Sequence, residues 1–201
     1  MRIGIYGGSF NPVHLGHKHL ADTMCEKLNL DKCIIMPAFV SPFKADKKSS
    51  VTADDRFRMC ELAFSEDNYV VSNLEIAKGE TSYTVNTLTA LKERYPDDEL
   101  FLIIGSDMLL SFNRWYRWQD ILKKCTLCAV SRCDDDPLQE LEDFAEMHLR
   151  QEGNVLILPF SPLVVSSTQL REKLKNGEDA SAFLHPDVQK YIQEHKLYTE
   201  E

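Results

Sequence analysis

The sequence predicts an α/β protein, a mainly parallel sheet covered by helices on both faces, and two observations carry that reading. Short β-branched or apolar runs alternate along the chain with segments of 3.6-residue period, the pattern of strands joined by helical crossovers. The 201 residues are 43% hydrophobic, enough to fill one sizeable core without disulfide or metal staples.

Taken in order, Arg2–Tyr6 reads as the first strand. Leu20, Ala21, Met24 and Leu28 then form one helical stripe, and Cys33–Met36 is the second strand. Val40–Ser50, VSPFKADKKSS, holds Pro, Ser and Lys without period, so it is a loop and is expected to cover a site. Phe57, Cys60, Ala63 and Phe64 give a less clean stripe, followed by a third strand at Val70–Leu74. Val85, Leu88, Leu91 and Tyr95 form the next helix, stopped by Pro96. The remaining strands are Leu100–Ile104, Thr126–Val130 and Val155–Leu158, with a helix on Leu138, Leu141, Phe144 and Ala145 before the last of them. Ser166–Lys175 starts as a capped helix with Leu170 and Leu174 on one stripe, and His185-Pro186 opens a final helix through Val188 and Ile192. The expected architecture is a single Rossmann-like domain over residues 1–201 with a small helical C-terminal end. Ligands of such sheets bind beyond the carboxyl ends of the strands.

Composition narrows the function classes. Twenty-three basic residues against 32 acidic leave a net charge of −9 without a Lys/Arg block, which argues against nucleic acid or anionic membranes as partners. No apolar run approaches the roughly 18 residues of a membrane span, and MRIGIYGGSF enters a strand without a leader pattern, so a soluble cytoplasmic protein is expected. Of six cysteines, Cys125, Cys128 and Cys133 have metal-like spacing. A strand through them points 125 and 128 to opposite faces and no fourth ligand is apparent, so they read as buried small hydrophobes.

The first strand runs into Gly7-Gly8-Ser9-Phe10-Asn11-Pro12-Val13-His14-Leu15-Gly16-His17 and then a helix. Two glycines let backbone N–H groups approach a phosphate closely, and the helix N-terminus adds unpaired donors and partial positive charge. His14 and His17, three apart, are expected on one face of the first helical turn, pointing together at an anion. A tight turn with surface histidines is the plainer alternative for the glycines alone.

GGSFNPVHLGH resembles the GxFxPxHxGH signature of the nucleotidylyltransferases, and the chain as a whole is similar to the bacterial nicotinate-nucleotide adenylyltransferase family within them. Ser82-Tyr83-Thr84 with Thr87-Leu88, Ile103-Ile104-Gly105-Ser106-Asp107 with Trp115, and Ser166-Ser167-Thr168 with Arg171 carry the likeness in that order. The resemblance implies transfer of the adenylyl group of ATP to nicotinate mononucleotide, giving deamido-NAD and pyrophosphate. Alternatives are a sister enzyme acting on nicotinamide mononucleotide or phosphopantetheine, or a non-catalytic nucleotide sensor; retention of both motif histidines favours the enzyme.

It further implies His14, His17, Lys44 and Arg171 as catalytic residues. ATP would lie against Gly7, Gly8, Ser9, Phe10, His17, Gly105, Asp107, Ser166, Ser167, Thr168 and Arg171, and the acceptor against Lys44, Thr84, Trp115 and Tyr116. Where the family often has Pro-Pro-His-Lys, this chain reads Ser41-Pro42-Phe43-Lys44, keeping the lysine and losing the histidine. From the residues alone, Asp107 is open between a ribose ligand and a helix N-cap, and any of Trp115, Tyr116 and Trp118 is open to being core.

The chemistry agrees with the resemblance. Adenylyl transfer needs two anions positioned and spread negative charge stabilised, and no covalent nucleophile. The chain has neither a GxSxG elbow nor a GxxxxGK[ST] loop. Mg²⁺ is expected to arrive on the ATP phosphates, water-ligated, with no metal ligands from protein side chains.

Overall fold

The computed structural model describes residues 1–42, 51–132 and 138–199. Its strands are β1 (Arg2–Gly8), β2 (Lys32–Pro37), β3 (Tyr69–Val71), β4 (Glu99–Gly105), β5 (Thr126–Arg132) and β6 (Val155–Phe160). The helices are α1 (Leu15–Lys27), α2 (Ala53–Ala63), α3 (Leu74–Lys78), α4 (Thr84–Arg94), α5 (Ser106–Leu109), α6 (Trp118–Leu122), α7 (Leu138–His148), α8 (Ser167–Lys175) and α9 (Pro186–Glu194).

All five strand pairings are parallel, in the order β3-β2-β1-β4-β5-β6. The chain builds outward from β1 to β3, returns, and builds the other way from β4 to β6. The order therefore reverses between β1 and β4, where a crevice opens at the carboxyl ends of both.

Alternate residues of each strand feed two cores, as the two-residue period requires. Tyr6, Cys33, Ile35, Phe101, Ile103, Cys128 and Val130 pack on one face with α1, α2, α8 and α9. Ile3, Ile5, Ile34, Met36, Leu102, Leu127 and Ala129 pack on the other with α4, α5, α6 and α7. Cys125 and Cys128 fall in different cores, as the strand period predicts, and Cys133 lies outside the described residues.

The sheet matches the expected fold class, with local corrections. β1 runs two residues past Tyr6, because Gly7 and Gly8 stay in register with Met36 and Pro37. The third strand is cut to Tyr69–Val71: Ser72 donates its N–H to Ile35 O, and its Oγ then accepts the Leu74 N–H as α3 begins. On α2 the buried face is Arg56, Met59, Cys60 and Ala63, with Phe57 only half-buried. Leu138 is exposed while Leu141 and Ala145 hold α7 to the sheet. Among the described residues no helix is long and apolar enough to cross a membrane.

Candidate active site

The connection from β1 to α1 is held by its carbonyl groups. Gly8 O accepts the Ala38 N–H at 2.9 Å, Ser9 O accepts Arg56 Nη1 at 2.7 Å, Asn11 O accepts Arg171 Nη1 at 2.7 Å and Pro12 O accepts Ser167 Oγ at 3.0 Å. Tyr198 near the C-terminus donates its hydroxyl to Asn11 Oδ1 at 2.6 Å. Donors from α2, α8 and the residue after β2 thus cover the negative ends of these peptide dipoles, which lowers the repulsion an incoming anion meets. Phe10, at φ 45°, turns its ring inward against Tyr6 and His17 with centroids 5.5 and 5.0 Å away. Phe10 is 2% exposed and lines neither cleft described below, so what it touches here is the His17 ring.

The two motif histidines come together at the start of α1, with His14 just outside the helix. His14 is the N-cap of α1 and His17 is its third residue, and they form a reciprocal capping box. The His14 N–H donates to His17 Nδ1 at 3.2 Å, the His17 N–H donates to His14 Nδ1 at 3.3 Å, and the rings stack with centroids 3.6 Å apart. Because both Nδ1 atoms accept, the proton of each neutral ring sits on Nε2, giving two N–H donors in fixed orientation. Gly16 permits this: a Cβ there would lie 2.8 Å from Val165 Cγ1 and 3.0 Å from His14 Nδ1.

Burial pushes His14 down to about 4, so the ring is neutral at physiological pH. Its folded value lies below the usual 6.5, so the unfolded chain takes up the proton first. The stabilisation is therefore complete above pH 6.5 and is lost as pH falls towards 4, to the extent of about 3 kcal/mol. Urea unfolding of wild type and His14→Asn, which keeps an N-cap acceptor without a titrating ring, is expected to show the wild-type advantage shrinking by about 2 kcal/mol between pH 7 and 4.5. A constant difference would contradict it.

Two adjoining clefts open at the crevice. The first, about 840 Å³, is lined by His14, Gly16, Arg56 and by Ser166, Thr168 and Arg171 at the start of α8. The second, about 630 Å³, is lined by Tyr83 and Thr84 at the start of α4 and by Trp115 and Tyr116 after a 3-10 turn at Phe112–Arg114. His17, Ser9, Gly105 and Asp107 stand in the wall common to both. A neutral donor and a carboxylate thus sit where two occupants would meet.

Most of the expected residues come together here, with different parts in some cases. Gly7 and Gly8 line the second cleft rather than the first, because as the last residues of β1 they remain in the ladder. Asp107 is the second residue of α5 and not its N-cap, which is Gly105. Its carboxylate folds back so closely that a Cβ on Gly105 would lie 2.7 Å from Oδ1. Ser166 Oγ caps α8 by accepting the Gln169 N–H, and Ser167 Oγ is turned to Pro12 O, so both hydroxyls join helix and loop. Trp115 and Tyr116 line the second cleft, Trp115 half-buried against Phe112 and Tyr116 exposed beside Tyr83, while Trp118 packs on the core away from it. Phe43 and Lys44 lie outside the described residues.

Two charged residues here carried no signal in the sequence. Arg56 is 7% exposed at the edge of the first cleft. Glu75 lines the second, accepts Thr87 Oγ1 at 2.6 Å and the Ser82 hydroxyl, and has its carboxyl pushed up by burial. Ser82 Oγ in turn accepts the Phe39 N–H, so Glu75 ties α3 and α4 to the end of β2. Arg56 is set by backbone carbonyls distant in sequence and Glu75 by the hydroxyls of Ser82 and Thr87, which no local pattern reports.

A doubly wound parallel sheet with a histidine pair at its switch point defines a nucleotide-handling α/β protein, and the chain belongs to the cytidylyltransferase-like family, whose model matches residues 5–173. More particularly, it is similar to proteins named probable nicotinate-nucleotide adenylyltransferase. That of Shewanella pealeana is 34% identical, covering 98% of this chain and 96% of its own, and that of Carboxydothermus hydrogenoformans is 35% identical, covering 98% of each. The solved structure of Plasmodium falciparum nicotinic acid mononucleotide adenylyltransferase complexed with NaAD matches with a TM-score of 0.78 at 18% identity, covering 98% of this chain and 97% of that one. At that identity the likeness is one of fold.

Proposed function

We propose that the chain, acting as one domain over residues 1–201, transfers the adenylyl group of ATP to nicotinate mononucleotide, giving deamido-NAD and pyrophosphate in NAD biosynthesis. The observation that carries this is the shared wall: His17 and Asp107 line both clefts, one furnished for polyphosphate and the other for a planar ring. The names of the relatives agree with it.

In this reading ATP occupies the first cleft with its phosphates between the N-terminus of α1 and that of α8, both of which favour anions. Mg²⁺ enters as part of the substrate, on the phosphates. The acceptor lies against Trp115, and its phosphate oxygen attacks the α-phosphorus in line as the bond to pyrophosphate breaks. The residues act by position and charge. The Nε2–H groups of His17 and His14 donate to oxygens on which negative charge grows, and Arg171 and Lys44 neutralise the departing phosphates. Asp107 accepts ribose hydroxyls.

Incubation with ATP, Mg²⁺ and nicotinate mononucleotide, nicotinamide mononucleotide or phosphopantetheine tests this, through pyrophosphate and dinucleotide release; no product with the nicotinate acceptor overturns it. Arg171→Ala is expected to lower kcat/KM for ATP about tenfold with the fold retained, because the guanidinium serves both the phosphates and the Asn11 carbonyl. Unchanged kinetics would remove Arg171 from the site.

A further inference from the structure

Arg56 is the one arginine among the described residues that is buried, and nothing in the reaction as written uses it. It rises from α2 to the edge of the first cleft, donating from Nη1 to Ser9 O at 2.7 Å and from Nη2 to Phe39 O at 3.0 Å. Those two bonds tie the end of β1 to the end of β2. They account for two of its five N–H groups and supply no negative charge. Among the described residues no carboxylate stands within ion-pair distance of it. Burial depresses its pKa only from the far alkaline range, so the group stays charged at neutral pH.

A buried cation without a counter-ion is costly, and proteins keep one where a ligand supplies the missing charge. Arg56 also has an opposite number. Arg171, which lines the same cleft, grips the same loop two residues on, at Asn11 O. Each guanidinium spends a donor on a loop carbonyl and lines that cleft.

We propose that Arg56 is a fixed counter-charge for the polyphosphate of the nucleotide, acting with Arg171 in one cleft and held in place by the Ser9 and Phe39 carbonyls. This rests on the adenylyl-transfer reading and deepens it by assigning the cleft a second arginine. The cleft is then shaped for a multiply charged anion such as pyrophosphate.

Calorimetric titration separates the charge from mere support of the loop. Inorganic pyrophosphate with Mg²⁺ and, separately, adenosine are titrated into wild type, Arg56→Gln and Arg56→Lys, each shown to melt cooperatively. Arg56→Gln is expected to bind pyrophosphate about tenfold more weakly with adenosine affinity within about twofold of wild type, and Arg56→Lys to recover to within about threefold. Equal pyrophosphate affinity in Arg56→Gln overturns the proposal. So does a parallel loss of adenosine binding, which would mark a collapsed loop, and so does a lysine variant as weak as the glutamine one. Arg56→Met is a second neutral variant should Arg56→Gln not fold. Wild-type protein that bound neither probe would overturn the adenylyl-transfer reading itself, an outcome distinct from failure of Arg56 alone.

Discussion

Replacing His17 with alanine is expected to lower kcat about 10²- to 10³-fold, with a much smaller change in the KM for ATP. The effect is large because the capping box presents this donor already oriented. His17 Nδ1 is engaged by the His14 N–H, its ring packs edge-on to Phe10, and it stacks on His14, so Nε2–H needs no reorganisation when charge develops. The same bonds give the substitution a second consequence. Losing half of a capping box should cost on the order of 0.5–2 kcal/mol of stability. His17→Gln separates the two, since glutamine is a usual partner at the third helical position. Stability should return towards wild type while turnover stays low, because an amide held to the cap by its oxygen does not place its N–H₂ where the imidazole Nε2–H stood. His14→Ala should also reduce turnover, and the double variant should fall short of the product of the singles because both rings serve one charge. Stopped-flow or steady-state rates with chemical denaturation on wild type and the four variants check this. Turnover near wild type in His17→Ala would remove the histidine pair from the reaction.

What made the fold legible was double burial. Strands covered on both faces read as apolar runs whatever their neighbours, and β1, β2, β4 and β5 were visible in that way, while the edge strand β6, with Leu156 exposed, was read from composition alone. The edge strand β3 was placed but overextended, because Ser72 and Asn73 end the ladder while Leu74 continues the apolar composition into a helix. Helices of four or five residues such as α3, α5 and α6 are too short for a 3.6-residue period to show at all. At the site, the histidine spacing was legible as a pair with a common target. Its actual geometry, N-cap against third residue with stacked rings, depends on Gly16 leaving room for His14. Arg56 was hidden for the opposite reason. A charged residue within a helical stripe reads as solvated, and only the Ser9 and Phe39 carbonyls, 47 and 17 residues away, turn it inward.

The second large expectation is acceptor choice: nicotinate mononucleotide should be used in preference to the amide, on the order of 10- to 100-fold in kcat/KM. The two rings have nearly the same shape, so stacking on Trp115 cannot separate them. The start of α4 can. Thr84 is the first residue of that helix, and its N-cap Tyr83 makes no side-chain cap bond, so the helix presents its positive end to the second cleft. A carboxylate accepts there through either oxygen, whereas an amide must turn one N–H₂ towards backbone donors, at about 1–3 kcal/mol for the mismatch. Because these donors are backbone, they survive side-chain substitution. Trp115→Ala should therefore remove ring stacking worth on the order of 1–3 kcal/mol and raise the KM of both acceptors alike. The KM for ATP should move little and the acid preference should persist. Steady-state kinetics with both acceptors on wild type and Trp115→Ala decide the matter. Equal kcat/KM for acid and amide in the wild type would overturn the substrate assignment, and a defect confined to ATP would place Trp115 in the other cleft's service. Loss of the acid preference together with the tryptophan would move the discrimination from the α4 backbone to the indole.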